Sequence, residues 1–276
     1  MQVTKVALTS FDKIEFPDTL YKYRYWVDHN HRKLVTERQI FFAPPDSFKD
    51  TFDCKIPTRW DLLTEKEIYN KYLIESKEAN CGFSRQQHRA FARYWTKKNL
   101  IRNEEHVTNW QKLAFEKHNE RIGILCLTAF PDNKIMWNSY SNSHAGFCVG
   151  FDPKILLSSF PGAGGPVNYF VELPIIYPIP KHDHNTQSIL QVYSKLREWE
   201  FEREYRSYIF KETALDIDER IKKVPIAAFK EIILGALMPE KDIEELIGSL
   251  ATELNFVRIR KAQIDENENI HIIDWT

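Results

Sequence analysis

Two glutamates and an arginine alternate in the segment EWEFEREYRSY (residues 198–208), and they are the residues best suited to chemistry. If a strand runs over residues 201–210, Glu202, Glu204 and Arg206 project from the same face. A carboxylate beside a second carboxylate and an arginine forms either an ion-pair network or a site that stabilises positive charge on a ribose. Both interpretations stay open at this point.

Three further segments combine aromatic rings with cations, hydroxyls and carboxylates. They are LYKYRY (residues 20–25), FFAPPDSFKDTFD (41–53) and DNKIMWNSYSNSHAGFCVGFD (132–152). Aromatic faces stack on planar rings, and the polar groups orient a ligand. We therefore expect one shared pocket that is lined by these segments and by residues 198–208.

A row of cations repeats at four-residue spacing within the segment 85–97. Its members are Arg85, Arg89, Arg93 and Lys97. On a helix these side chains stack on one face, where like charges repel, and no acidic residue occurs from position 85 to 102. The row therefore indicates a track for phosphates of RNA, DNA or a dinucleotide. The alternative is an exposed helix whose charges pair with acids from elsewhere in the fold.

Neither a metal site nor attraction of nucleic acid by the overall charge of the chain is expected. The pairs His29-x-His31 and His182-x-His184 lack the further ligands of a zinc site. Lys plus Arg minus Asp plus Glu is 38 − 39 = −1, so any nucleic acid must be bound by a local patch. The four cysteines lie far apart, the N-terminal segment is too charged for a signal peptide, and no apolar run approaches the about 20 residues of a membrane helix. We therefore expect a cytoplasmic protein without a membrane partner.

The elements that must position these residues mix strands and helices. Residues 1–60 are expected to form strands and loops. Residues 61–120 are predicted to be a helical insert, because capping boxes begin at Thr64 and Ser84 and apolar stripes of helical spacing follow. Strands are expected again over residues 122–130 and 147–151, then a helix over about 186–200 and a strand over 205–210.

The C-terminal residues predict a β-α-β unit. A strand over 230–237 precedes a helix that starts at Pro239, and a second strand covers 257–262. Because strands and helices do not alternate strictly, the sequence predicts an α+β fold with mixed, largely antiparallel sheets. We expect a single domain over residues 1–276.

The clusters, in this order, resemble a bacterial family known as domain of unknown function 2971. The matching pieces are LYKYR (20–24), IFFAPPDSFKDTFD (40–53), GILCLT (123–128), DNKIMWNSYSNSHAGFCVGFD (132–152), EREYR (202–206) and EIILGALM (231–238). The resemblance spans about residue 20 to the C-terminus. It implies that residues 61–120 are a variable insert.

The chain is more remotely similar to ADP-ribosyltransferases. Those enzymes carry Arg or His on a first strand, Ser or Tyr after a middle strand and a catalytic Glu on a late strand. The similarity assigns Arg24 to the first position and Glu204 to the third. Ser47 or Tyr140 takes the second, although Pro-Pro-Asp-Ser follows the middle strand here instead of Ser-Thr-Ser.

This similarity implies an ADP-ribosyltransferase-like fold and NAD as a substrate. Glu204 would stabilise the cation that forms as nicotinamide leaves, and Arg24 would clamp the pyrophosphate. Tyr140 or Trp137 would stack on the nicotinamide ring. The NAD site that it implies comprises Tyr23, Arg24, Ser47, Trp137 and Tyr140, and the catalytic set comprises Arg24, Tyr140 and Glu204.

Three functions therefore stay open. The first is a bacterial toxin or phage-defence enzyme that uses NAD to modify nucleic acid or protein. The second is an effector that binds or cleaves nucleic acid, using the basic row together with Glu202 and Glu204. The third is a non-enzymatic module that binds a protein partner.

Overall fold

The structure is a computed structural model of the chain, and it describes residues 11–162 and 164–275. The strands are β1 (Leu20–Arg24), β2 (Gln39–Phe41), β3 (Ile122–Thr128), β4 (Phe147–Phe151), β5 (Gly164–Pro166), β6 (Asn168–Phe170), β7 (Ser194–Leu196), β8 (Glu204–Phe210), β9 (Ile221–Lys223), β10 (Phe229–Leu234), β11 (Arg258–Ile264) and β12 (Ile270–Asp274). The helices are α1 (His29–Thr36), α2 (Glu65–Ala79), α3 (Arg85–Lys98), α4 (Glu104–Arg121), α5 (Lys134–Tyr140), α6 (Pro153–Ser158), α7 (His184–Val192), α8 (Ile217–Arg220) and α9 (Glu240–Gly248). Most of the segment used to argue against a signal peptide lies outside the described residues.

Eight of these strands form one mixed sheet, in the order β12-β11-β10-β4-β1-β3-β8-β5. Neighbours are antiparallel except β10 and β11, which are parallel. Two short pairs, β2 with β9 and β6 with β7, lie outside the sheet. The α+β class with a mixed, largely antiparallel sheet is therefore confirmed, and β10-α9-β11 is the predicted β-α-β unit.

Helices cover both faces of the sheet. In β4 the two phenylalanines and Val149 enter a core cluster that also contains apolar side chains of α1, α6 and α9. The alternate residue Cys148 packs on the opposite face with Met136 and Trp137 of α5. All five residues of β4 are buried, because the strand lies in the middle of a sheet that is covered on both sides.

The helical segment predicted over residues 61–120 is confirmed, and it comprises α2, α3 and α4. Thr64 and Ser84 each accept a hydrogen bond from the third helical amide, and the side chain of that residue bonds back to the cap, so both capping boxes form as predicted. Side chains of α2 and α3 then bury a small core of their own, in which Tyr72 of α2 and Ala92 of α3 take part.

Some predicted boundaries were wrong. The strand expected from residue 201 begins at Glu204, because Arg203 has a left-handed backbone (φ 42°) and ends a preceding 3₁₀ turn. The helix expected over 186–200 ends at Val192 and is followed by β7. Residues 1–60 also contain a helix, α1, whose start is fixed by the Asp28 carboxylate accepting from the amides of Asn30 and His31.

The sheet splits between β1 and β3. Strand β1 pairs with β4 over five positions but with β3 at one position only. Closer to the start of β3, the backbone of Ile124 pairs with Ala43 instead of β1, through hydrogen bonds of 2.9 and 2.8 Å. In the gap, Nζ of Lys22 donates to the carbonyl of Cys126 at 2.6 Å, and so satisfies an acceptor that β1 does not pair. The diverging strands leave an opening, which we call the cleft.

Candidate active site

A cavity of about 650 Å³ occupies the cleft. Its walls come from β1, α1, β2 with the residues that follow it, β3, α5, and the segment from β7 to the start of β8, and α8 and β9 add one residue each. The adjacent residues Cys126 and Leu127 both line it, and since neighbours on a strand point to opposite faces, the cavity passes through the plane of the sheet. Its volume lies in the range of about 300–1,000 Å³ that is typical of sites for small ligands.

The cavity brings together most of the site residues predicted from the sequence. Those that line it are Tyr23, Arg24, Ser47, Tyr140, Glu202 and Glu204. Tyr23 contributes to the wall, although its hydroxyl donates to the carbonyl of Phe130 and its ring packs edge-on against Trp137. Ser47 is exposed at the rim, where its hydroxyl donates to the carbonyl of Pro44 at 2.7 Å.

Trp137 does not line the cavity, so the prediction that it stacks on a bound ring was wrong. Its side chain is 0% exposed. Its indole nitrogen donates to the carbonyl of Pro131 at 2.7 Å, and its ring packs against Tyr23 and His144. The aromatic face is used in the core beneath α5, because a Trp ring is stabilised by burial when its N–H has a partner.

Five buried ionisable side chains meet on the β8 side of the cleft, and we call them the charge network. They are Asp53, Lys195, Glu202, Glu204 and Arg206. Arg206 donates to both oxygens of Asp53 (2.7 and 2.6 Å) and to both oxygens of Glu204 (3.0 and 2.8 Å). Nζ of Lys195 contacts Glu202 and lies 3.3 Å from Asp53 and 3.4 Å from Glu204. Three carboxylates face two cations, a formal charge of −1, so the network is not neutral by itself.

Glu204 therefore lies in a buried ion-pair network, with Arg206 and not Arg24 as its partner. This is the first of the two interpretations that the alternating Glu202, Glu204 and Arg206 left open. The second concerns what the carboxylates do to a ligand. It depends on how far each carboxylate is neutralised by its neighbours.

The two glutamates have opposite pKa shifts. Burial and the charge of Glu204 raise the pKa of Glu202, which accepts hydrogen bonds from the Tyr140 hydroxyl (2.6 Å) and from Lys195. Burial favours a raised pKa in Glu204 too, but the charges of Arg206 and Lys195 outweigh it and lower the pKa to about 2. Glu204 is thus ionised at neutral pH, and Glu202 is the more basic of the two glutamates. Neighbouring carboxylates with separated pKa values are typical of acid–base sites.

Side chains from other elements hold the backbone that carries the two glutamates. The Thr128 hydroxyl donates to the carbonyl of Glu202 at 2.6 Å. The Asn133 amide donates to the carbonyl of Phe201 at 2.5 Å, and the amide of Glu204 donates to the Tyr169 hydroxyl at 2.9 Å. These bonds fix the two carboxylates in place before any ligand arrives.

Arg203, between the two glutamates, has a strained backbone. Its φ of 42° lies in the left-handed region, which costs a residue with a Cβ about 1–2 kcal/mol. Its amide donates to Glu200 and its carbonyl accepts from Ala129, so the surrounding structure holds the conformation. Strain of this kind is found most often at functional sites.

One face of β1 presents two cations to the cleft. Lys22 and Arg24 are two residues apart on the strand, about 7 Å. Burial, and next the charge of Arg24, lower the pKa of Lys22 to about 8, and burial lowers the pKa of Arg24 to about 10. Within residues 11–162 and 164–275, neither forms an ion pair with a carboxylate; Lys22 bonds the carbonyl of Cys126, and Arg24 that of Tyr23. Half-buried cations that form no ion pair favour an anionic ligand.

Aromatic side chains complete the wall. Tyr140 lies beneath Nζ of Lys49, 4.7 Å from the ring centroid. Trp199 also lines the cavity, with Nζ of Lys195 at 4.9 Å from its ring. The indole nitrogen of Trp199 is buried and has no hydrogen-bond partner among the described residues. The cleft thus combines ring faces, cations and carboxylates.

Lys195, Asp53, Lys22 and Trp199 were not predicted as site residues. A turn separates Lys195 from Glu202, and about 150 residues separate Asp53 from Glu202, so no local spacing in the sequence links these residues. A usable signal was present: Asp53, Trp199 and Lys22 all lie in the polar–aromatic segments from which the shared pocket was predicted.

The basic row lies outside the cleft. Arg85, Arg89, Arg93 and Lys97 are exposed on α3, and none of them lines the cavity. No cluster of His, Cys, Asp or Glu that would hold a metal ion occurs in the described part of the chain, where all four cysteines are free. Of the helices described, none has the length and apolar character needed to cross a bilayer.

Five of the six segments behind the family resemblance contribute residues to the cleft, and the sixth, EIILGALM, begins in β10 and contributes none. LYKYR is β1, GILCLT lies in β3, and EREYR carries the two glutamates into β8. DNKIMWNSY forms the start and body of α5. No family model, no curated protein and no solved structure matches the chain, so both resemblances stay predictions.

Proposed function

We propose that the protein is an NAD-consuming enzyme of ADP-ribosyltransferase-like type. In this proposal it cleaves the bond between nicotinamide and ribose in the cleft and transfers ADP-ribose to nucleic acid or protein. One observation carries the proposal: a single cavity combines unpaired cations on β1 with two carboxylates whose pKa values are shifted in opposite directions. The cations suit a pyrophosphate, and the carboxylates suit a sugar that becomes positively charged.

The proposed ligand has groups that suit both the cationic and the acidic part of the cleft. Lys22 and Arg24 bind the pyrophosphate, and Tyr140 offers its ring to the nicotinamide. The electrostatic contacts of Lys22 with Glu202 and Glu204 bring the cationic and acidic parts of the cleft within range of one ligand. In NAD the reacting carbon C1′ lies across a single ribose from the pyrophosphate, and this short separation suits the proximity of the two parts of the cleft.

The chemical step divides its tasks between the glutamates. The bond from ribose C1′ to the nicotinamide nitrogen breaks, and its electron pair leaves with the ring, which becomes neutral. The ionised Glu204 stabilises the positive charge that develops on the ribose. An acceptor hydroxyl attacks C1′, and its proton passes to Glu202, the more basic carboxylate. Tyr140 and Lys195 hold Glu202 through its two oxygens and act as positioning residues.

The test is nicotinamide release from NAD, measured by chromatography with water, nucleic acid and protein as acceptors. We expect release by the wild type and a loss of at least about 100-fold in kcat for Glu202→Gln, the size typical of removing a central polar group. The matched control is Glu172→Gln, an exposed glutamate outside the cleft.

Two results would contradict the proposal. If wild-type protein releases no nicotinamide with any acceptor class, the cleft is not an NAD-cleaving site. If Glu172→Gln and Glu202→Gln release it at the wild-type rate, the chemistry does not use the charge network. NAD that binds without being cleaved would indicate the non-enzymatic alternative.

A further inference from the structure

The exposed side of α3 carries only cations, polar amides and one large aromatic ring. We call this surface the basic face, and its members are Arg85, Arg89, Arg93, Tyr94, Lys97 and Lys98. At about 100° per residue these side chains span about 220° of the helix circumference. Ala92 and Trp95 lie on the remaining side and pack with Tyr72 of α2, so the basic face points away from α2.

The charges of the basic face are not neutralised. Within the described part of the chain no carboxylate lies within ion-pairing distance of Arg85, Arg89, Arg93 or Lys97, although the same structure pairs exposed cations elsewhere, as in Lys134 with Glu268. The first turn of α3 contains no acidic residue. Arg85, at the first helical position, also faces the positive end of the helix dipole. Repulsion between these like charges destabilises the helix, and a bound anion would relieve it.

The spacing of the cations fits a polyanion. From Arg85 to Lys97 the row rises about 18 Å at about 1.5 Å per residue. Consecutive cations of the row are therefore about 6 Å apart along the axis, and they form a linear series that can contact several phosphates of one strand.

Tyr94 distinguishes between forms of nucleic acid. Its side chain is 56% exposed, and Nζ of Lys98 lies 5.4 Å from the ring centroid. An exposed ring beside cations provides a stacking surface for unpaired bases, which a duplex keeps inside its stack. The combination therefore favours a single strand.

We propose that the basic face of α3 binds single-stranded nucleic acid, RNA or DNA. This site is independent of the cleft, because none of its residues lines the cavity. It assigns a role to the helical insert: α3 holds a strand on the outside of the protein. The proposal stands whether or not NAD is the ligand of the cleft.

The test is fluorescence anisotropy with labelled single strands of about 16 nucleotides, a length that covers one binding site of this kind. RNA, DNA and a DNA duplex are compared over a salt series that starts at about 50 mM. We expect binding of at least one single strand. In Arg89→Gln/Arg93→Gln the slope of log affinity against log salt should shrink by about 1.4, or about 0.7 for each phosphate that an arginine no longer neutralises.

Two further variants separate stacking from charge. Tyr94→Ala should weaken single-strand binding about tenfold, and Tyr94→Phe should restore it, because the ring and not the hydroxyl carries the stacking. The charge-matched control is Lys154→Gln/Lys241→Gln, two exposed lysines on α6 and α9, which should leave affinity and slope unchanged.

Each remaining outcome overturns the proposal. These outcomes are no single-strand binding at the lowest salt, an unchanged slope in the arginine variant, or an equal loss in the lysine control. Duplex binding that is as tight and insensitive to Tyr94 would reject the preference for unpaired bases. Competition by polyglutamate as effective as that by nucleic acid would assign the face to an acidic protein. Circular dichroism of each variant checks that α3 is still folded.

Discussion

Glu204→Gln tests whether the charge network is arranged as described. The substitution keeps the shape of the side chain but removes a buried charge that accepts from Arg206 and Lys195. With Glu204 present the network has three carboxylates and two cations, and with Gln it is formally neutral. The variant therefore loses strong ion pairs, but it also relieves Glu202 of a repelling neighbour.

The magnitude follows from the pKa of Glu204, which is lowered from 4.5 to about 2. At about 1.4 kcal/mol per pH unit this depression corresponds to about 3 kcal/mol of the free energy of unfolding. Because the pKa is lower in the folded state, the contribution is complete above about pH 4.5 and is lost as the pH falls toward 2. Relief of Glu202 offsets part of it, so we expect Glu204→Gln to lose about 2–3 kcal/mol at neutral pH.

The assay is urea denaturation of the wild type, Glu204→Gln and the exposed control Glu172→Gln at a series of pH values from about 7 to about 3. The difference between wild type and Glu204→Gln should be largest at neutral pH and should shrink at the acidic end. Glu172→Gln should follow the wild type throughout. A deficit that is constant with pH, or absent at neutral pH, would refute the reasoning.

Two more substitutions test other features of the fold and the cleft. Tyr140→Phe removes a hydrogen bond that lowers the pKa of Glu202, so the pKa of Glu202 should rise. The acidic limb of the pH profile for nicotinamide release should then move to higher pH. An acidic limb that does not move would show that Glu202 does not determine it. Gly235→Ala places a Cβ well inside van der Waals separation of the carbonyl oxygen of His144, and it should lower the free energy of unfolding by about 3 kcal/mol. The control is Gly248→Ala, in open space at the end of α9, which should leave the free energy of unfolding unchanged or raise it by up to about 1 kcal/mol. Urea denaturation measures both, and an equal effect of the two glycine substitutions would contradict the close approach.

Much of the fold could be predicted from local signals. The capping boxes at Thr64 and Ser84 identify α2 and α3 because the cap and its partner are only three positions apart, well within one segment. The apolar runs that became β3 and β4 were recognisable because both faces of those strands are covered. Helix α1 was not predicted, because its sequence HNHRKLVT is short and mostly polar. Asp28 caps its start, but no capping box marks it in the sequence.

The site was predictable in part. Arg24, Tyr140 and Glu204 stood out through the residue types around them, and all three line the cleft. The partners that set their chemistry did not, because Lys195 reaches Glu204, and Asp53 reaches Arg206, only through the tertiary fold. The position of Trp137 was predicted wrongly for the same reason. The local sequence around an aromatic residue in a polar segment does not show whether its ring packs in the core or contacts a ligand.

The most direct test of the proposed function is calorimetric titration of NAD into the wild type, Arg24→Ala and the exposed-lysine control Lys154→Ala. We predict that the wild type binds NAD, that Arg24→Ala binds at least about tenfold more weakly because a charged hydrogen bond to phosphate is lost, and that Lys154→Ala binds like the wild type. Wild-type protein that binds no NAD, or an Arg24→Ala variant that binds it as tightly as Lys154→Ala, would contradict the assignment of the cleft.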